Sequence, residues 1–203
     1  MKEFIKVNKY YLITIILMLL TFILVKKHFS YELLTLDTFI HDKLLTLYHT
    51  DFLNYIMRFT SLLGSVYFYI IVLLIVLIKS KNYFKLTVIP LIIAYITNMT
   101  FKLIINRNRP LTWIFTPPLD PSFPSGHTIC SVVFYGIIIY LLKNIKNNNL
   151  RLTLRILLTT LIILIGISRL YLGVHFLSDV LAAYLLGILI LTMFIRYYKI
   201  KNI

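Results

Sequence analysis

Apolar residues in this chain come in long blocks rather than in alternation, and the polar residues gather between the blocks. Six blocks approach the ~20 residues that cross a bilayer as a helix. They predict spans at about 10–25, 62–78, 86–105, 125–142, 152–167 and 175–195. Between the first two spans, Leu33, Leu36, Ile40, Leu44 and Leu47 recur at helical spacing, with Glu32, Asp37, Asp42 and Lys43 mostly on other faces. That pattern predicts one or two helices lying flat in the membrane interface; the plainer reading is a partial lid packed on the bundle. The expectation is an all-α fold: an integral membrane six-helix bundle with one or two interfacial helices between spans 1 and 2. It forms a single domain over 1–203, without internal repeats or low-complexity stretches.

Composition turns this pattern into a class. Hydrophobic residues make up 60% of the chain and charged ones 14%, with a mean hydropathy of +0.88. Soluble domains run nearer half apolar and a quarter charged. The single cysteine, Cys130, lies inside an apolar block, which excludes a disulfide framework or a zinc cluster built by this chain alone. Lys2, Lys6 and Lys9 ahead of the first block resemble a signal peptide, but no small-residue cleavage site follows, and the first alanine is Ala94. The block therefore reads as an uncleaved first helix.

The formal charge of +14 is unevenly placed. Alternating six spans across a membrane puts thirteen basic residues, from the N-terminus, 79–85, 143–155 and 196–201, on one side with Glu3 as the only acid. The other eight basic residues face six acids. The positive-inside rule then places both termini in the cytoplasm of a multi-pass cell-membrane protein. The excess charge reports topology, and no nucleic-acid partner is expected.

The remaining polar residues form three clusters, all on the extracytoplasmic side. Lys102 and Arg109 are seven residues apart and would share a face of a continuing helix, with Pro110 turning the chain out. Arginine offers a planar fork of donors to phosphate oxygens, and lysine adds a point charge. A cation near a helix end also commonly snorkels to the interface, so Lys102 has that reading beside it. Arg107 and Asn106 belong to the same cluster or face lipid headgroups.

In the second cluster Pro117, Pro118 and Pro121 lead into Pro124-Ser125-Gly126-His127, ahead of the apolar run 129–142. Ser125 is placed as an N-cap, which leaves the next backbone N–H groups as an anion site, with His127 at the same mouth. The third cluster holds Ser168, Arg169, His175 and Asp179. His175 and Asp179, four apart, would stack on one face of the sixth helix, the carboxylate fixing the imidazole tautomer. Elsewhere such a pair is an ordinary surface contact; where a bilayer begins, ionisable groups are expensive unless used. Ser168 can bond a phosphate oxygen or cap its helix end.

Read in order, the clusters are Lys-x6-Arg-Pro, Pro-Ser-Gly-His and Ser-Arg-x5-His-x3-Asp. The chain resembles the type-2 phosphatidic acid phosphatase family, matching its three signature motifs at every position, with the span layout similar over about the whole chain. The resemblance implies a membrane lipid phosphatase, like the small bacterial members that act on undecaprenyl pyrophosphate or phosphatidylglycerophosphate. It implies that His175 attacks phosphorus and becomes a phosphohistidine, with Asp179 orienting it. His127 would protonate the leaving oxygen and then serve as base for water. Lys102, Arg109, Arg169, Ser125 and the Gly126 amide would hold the phosphate oxygens. Neither metal nor other cofactor is expected, since Asp120 is the only other acid near the motifs.

Three alternatives remain beside this one. A lipid phosphotransferase would pass phosphate from the same intermediate to another lipid. A transporter or channel would need polar residues near mid-bilayer in several helices, and Asn98 is the one clear case in the predicted spans. A vanadium-dependent haloperoxidase shares the phosphate-site pattern, but those proteins are soluble.

Overall fold

The structure, a computed structural model, describes residue 16 and residues 31–46, 50–114 and 119–201. The described residues form seven α-helices and no strand. In chain order these are α1 (Tyr31–Thr46), α2 (Asp51–Leu63), α3 (Val66–Lys79), α4 (Lys81–Ile105), α5 (Gly126–Leu141), α6 (Asn148–Tyr171) and α7 (Leu177–Lys201). The expected first span over 10–25 lies outside the described residues apart from Ile16, as do Leu47, Pro117 and Pro118.

Helices α4, α6 and α7, and α5 together with the 3-10 turn Leu142–Asn144 that continues it, are each long and apolar enough to cross a membrane. The expected span at 62–78 has a different construction. Helix α3 has 14 residues, about 21 Å at 1.5 Å per residue, which falls short of a ~30 Å hydrocarbon core. It continues α2 through a bend of 49° at Gly64-Ser65. Gly64 closes α2, and Ser65 starts α3 by accepting the Phe68 N–H at 3.3 Å. Among the described residues four helical segments are thus long and apolar enough to span, or five when the bent pair counts as one.

α5 is the axis of the bundle and packs against α4, α6 and α7. Its Ile129 and Val133 meet Ala94 and Phe101 of α4 and Ala182, Ala183 and Leu186 of α7. Its Phe134 and Tyr135 meet Tyr69 and Leu73 of α3 and Ile165 of α6. Large apolar residues such as Ile78, Ile96, Leu157 and Leu185 stand exposed on the outer helices, as a lipid-facing surface requires. From α3 to α7 the helices alternate in direction. Lys79, Lys81, Lys143, Arg151 and Arg196 lie toward one end and the signature clusters toward the other.

Helix α1 is the helix expected between the first two spans, and it lies packed on the bundle. Asp37 and His41 are buried at 1% and 6% exposure, while Leu36 and Phe39 are exposed at 49% and 61%. The helix packs its polar face on α6 and α7, where partners wait, and turns apolar side chains outward.

Candidate active site

α4 ends because Asn106 adopts the left-handed conformation (φ 46°, ψ 48°), its N–H bonded to the Lys102 carbonyl at 2.9 Å. Lys102 and Arg109 therefore do not share a continuing helix face, as their spacing predicted. They converge instead on Asp120. The Lys102 Nζ is 2.8 Å from Asp120 Oδ2 and also donates to the Pro121 carbonyl. Arg109 donates through NH2 to Asp120 Oδ1 at 2.9 Å and through Nε to the Asp120 carbonyl at 2.8 Å. At 3% exposure Lys102 does not snorkel. Burial alone would raise the Asp120 carboxyl, but Lys102 and Arg109 outweigh it and hold the group below the usual carboxylate range.

The Pro-Ser-Gly-His turn enters α5 with Ser125 at the N-cap position, as expected, but its hydroxyl does not cap. It accepts from Thr128 Oγ1 at 2.9 Å, while the Ser125 N–H donates to the Asp179 carbonyl at 3.2 Å. Among the described residues no side chain caps the first N–H groups of α5. Gly126 lies so close to Asn98 of α4 that a Cβ would stand 3.2 Å from its Oδ1. Asn98 is itself buried, and its Nδ2 donates to the Pro124 carbonyl at 3.0 Å. It supports the turn from the wall of the cavity. The His127 imidazole faces the cavity described below and makes no hydrogen bond with another described residue.

His175 is not on the first turn of α7, as the four-residue spacing predicted. It sits in the loop 172–176, which leaves α6 through Gly173 at φ 73°. The helix starts later because Asp179 Oδ2 accepts the Phe176 N–H at 2.8 Å, half of a capping box. The pair still meets, with His175 Nδ1 3.5 Å from Asp179 Oδ2. Ser122 donates to that same oxygen at 2.5 Å and lies 3.4 Å from Nδ1.

On the other side of the ring, His175 Nε2 is 3.2 Å from Arg109 NH1, which also donates to the Val174 carbonyl at 2.7 Å. A guanidinium only donates, so Nε2 carries the lone pair and the proton sits on Nδ1. Burial, with Arg109 and Arg169 acting in the same direction, pushes the His175 imidazole down to about 4 despite Asp179. The ring is neutral at physiological pH.

Arg169, at the end of α6, is 3% exposed. It donates through NH1 to Ser61 of α2, its Nε is buried without a partner, and among the described residues no carboxylate pairs with it. Ser168 donates to the Ile165 carbonyl at 2.6 Å, so of its two readings the structure shows the helix-end bond.

These groups surround one end of a cavity of about 490 Å³. Lys102, Arg109, Gly126, His127, Arg169 and His175 line that end, together with Asp120. Tyr69, Leu73, Val88, Leu91, Tyr95 and Met99 continue it as an apolar groove between α3 and α4. Ser125 and Asp179, both fully buried, stand behind the wall. The eight site residues expected from the sequence thus come together around one polar pocket.

Other contributors were not expected. Ser122, Ser61 and Asp37 carry no motif, and Asp120 bridges two cations rather than standing apart. Arg107, left open between site and headgroups, joins the site: its NH1 donates to Asp179 Oδ1 at 2.8 Å. Its place two residues before Arg109 was the one available signal.

The sequence profile described as "PAP2 superfamily" matches residues 62–203. Phosphatidylglycerophosphatase B of Bacillus subtilis (strain 168) is 37% identical over 98 residues, 46% of this chain and 47% of that protein. An undecaprenyl-diphosphatase of Sulfolobus acidocaldarius is 33% identical over 143 residues, 66% of each chain. The chain thus spans between about half and two thirds of these relatives' lengths. In fold it is similar to the crystal structure of a transmembrane PAP2-type phosphatidylglycerolphosphate phosphatase from Bacillus subtilis, with a TM-score of 0.78 at 24% identity. That likeness covers 91% of this chain and 95% of the other. Aquifex aeolicus LpxE gives a TM-score of 0.67 at 24% identity, over 80% of this chain and 96% of its own.

Proposed function

The chain belongs to the PAP2 superfamily, and from that premise we propose that it is a membrane lipid phosphatase acting through a phosphohistidine. One observation carries the reading. Arg169, buried and among the described residues without a carboxylate partner, the start of α5, which no described side chain caps, and His127 face a polar pocket that continues directly into an apolar groove. A dianionic headgroup fits the first part and a hydrocarbon chain the second, which is the shape of a lipid phosphate. The two curated relatives are named for phosphatidylglycerophosphate and undecaprenyl diphosphate, and we take these as the substrate candidates.

In the proposed reaction, His175 Nε2 forms a P–N bond as the P–O bond to the lipid breaks. His127 gives a proton to the departing oxygen. Asp179 takes the charge that develops on the ring through Nδ1–H. His127 then accepts a proton from water, whose oxygen attacks phosphorus; the P–N bond breaks and phosphate leaves. Lys102, Arg109, Arg169 and the N–H groups at Gly126 neutralise and hold the non-bridging oxygens, which is most of what phosphoryl transfer asks of a protein.

The test is to offer the purified protein in detergent phosphatidylglycerophosphate, undecaprenyl diphosphate and phosphatidic acid, and to measure phosphate release with EDTA present. Release from at least one lipid, inhibited by vanadate, is expected. Loss of activity on chelation with rescue by magnesium would overturn the cation-based site, and no release from any of the three would overturn the lipid reading.

We further propose that the pocket opens on the extracytoplasmic face, because the basic ends of α3 to α7 lie opposite to it. In a Cys130→Ser background, Leu119→Cys should react with an impermeant maleimide in intact cells and Asn148→Cys should not. Both positions are exposed. Labelling in the reverse sense would place the site in the cytoplasm.

A further inference from the structure

We propose that Asp37 and Arg107 are positioning residues for the His175–Asp179 pair, so that α1 sets the geometry of the nucleophile; this rests on the phosphatase reading above. The observation is a continuous chain of charged hydrogen bonds from α1 to the catalytic carboxylate. Asp37 Oδ2 accepts from Arg107 NH2 at 2.7 Å, and Arg107 NH1 donates to Asp179 Oδ1 at 2.8 Å. Both carboxylates are buried, at 1% and 0% exposure, and the guanidinium between them lies over the Phe176 ring at 4.2 Å.

Asp37 also holds the start of α7. The residue just before that helix is Phe176, whose side chain cannot cap. Asp37 supplies the missing acceptor from another helix: its Oδ1 takes the Ser178 N–H at 3.0 Å and its Oδ2 the Ser178 hydroxyl at 2.5 Å. Ser178 precedes Asp179, so the carboxylate that faces His175 is fixed from both sides. Its peptide neighbour is tied to Asp37 and its own Oδ1 to Arg107.

The reason this matters chemically is the slack on the other oxygen. Asp179 Oδ2 already accepts from Ser122 and Phe176, and His175 Nδ1 stands 3.5 Å away. The hydrogen bond that orients the nucleophile therefore depends on where the rest of the carboxylate is anchored. A displacement of about 1 Å in such an arrangement can cost on the order of 10²-fold in rate.

A buried ion pair can also be purely structural, so the test must separate the two roles. Asp37→Asn, Asp179→Asn and the double variant are compared for kcat and KM on whichever lipid the wild type hydrolyses, with thermal unfolding followed in parallel. Asp37→Asn is expected to lower kcat by roughly 10–10²-fold, to leave KM within about twofold, and to have little further effect once Asp179→Asn is present. The inference is overturned by wild-type kcat in Asp37→Asn. It is equally overturned by a loss that adds in full to Asp179→Asn, or by one that only follows the unfolded fraction. Should Asp37→Asn not fold, Ser178→Ala, which removes the hydroxyl that links Asp37 and Arg107, goes through the same cycle with the same criteria. A wild type inactive on every lipid would remove the phosphatase reading itself; an active wild type with an indifferent Asp37 would remove this inference only.

Discussion

His175→Ala should leave no measurable turnover on any substrate, whereas the loss in His127→Ala should depend on the leaving group. The distinction follows from geometry. His175 Nε2 carries a lone pair, faces the cavity and is held neutral by burial, while its Nδ1–H looks toward Asp179. On the proposed covalent route, removing the ring removes the nucleophile. His127 faces the same cavity from the first turn of α5 without being held by any described side chain. Such a placement suits a proton donor that meets its partner only when a substrate is present.

General acid help is typically worth about 10²–10⁴-fold and least where the departing oxygen is a weak base. A lipid diphosphate releases a phosphate monoester, a better leaving group than the alkoxide of a lipid monophosphate. His127→Ala should therefore keep relatively more activity on undecaprenyl diphosphate than on phosphatidylglycerophosphate, with His175→Ala inactive on both. The phosphorylated protein should also accumulate in His127→Ala under acid-free rapid quench, since water attack loses its base as well. Substantial activity in His175→Ala, with a flat loss across leaving groups in His127→Ala, would exchange or remove these roles.

The site was legible in the sequence to the extent that its residues are costly where they stand. Lys102, Arg169, His175 and Asp179 lie in or beside apolar blocks, where an ionisable side chain is kept only if something uses it. The geometry between them was not legible, because it depends on partners from other elements. Spacing placed His175 on a helix face, but the Asp179 carboxylate captures the Phe176 N–H and the helix starts at Leu177, past His175. Spacing put Lys102 and Arg109 on one face, and a left-handed Asn106 broke that face. Asp120, which draws the two cations together instead, sits in a proline-broken segment with no periodicity to read.

The same reasoning accounts for α1 and for the span at 62–78. A hydrophobic repeat says which face is apolar but not whether that face meets a core or lipid. In α1 the apolar side chains Leu36 and Phe39 point outward and the polar ones serve the site. Ser178 and Asp37 are 141 residues apart, and no local pattern signals such a pair. The bend at Gly64-Ser65 was signalled locally by a glycine beside a capping serine, although the apolar run across it reads as one segment.

Arg109→Lys should cost about 10²–10³-fold in kcat although it keeps the charge. Arg109 is more than a counter-charge for phosphate. Its Nε and NH2 hold the backbone and side chain of Asp120, and its NH1 holds the Val174 carbonyl while reaching His175 Nε2. One planar group thus fixes the loop before Pro121, the loop that carries His175, and the direction of the donor beside His175 Nε2. A lysine ends in a single ammonium on a flexible stem and cannot span these acceptors together. Its loss should then resemble that of a preorganised donor aimed at developing charge, roughly 2.7–4 kcal/mol of transition-state stabilisation. KM should change less than kcat, because Lys102 and Arg169 still attract the phosphate. An inhibition constant for the product phosphate within a few fold of wild type would support that split. Retention of more than about a tenth of kcat would mean that Arg109 acts through charge alone, and the loop-fixing role would fall. Should KM rise instead while kcat stays near wild type, Arg109 would be a binding residue whose contacts are equal in ground and transition states.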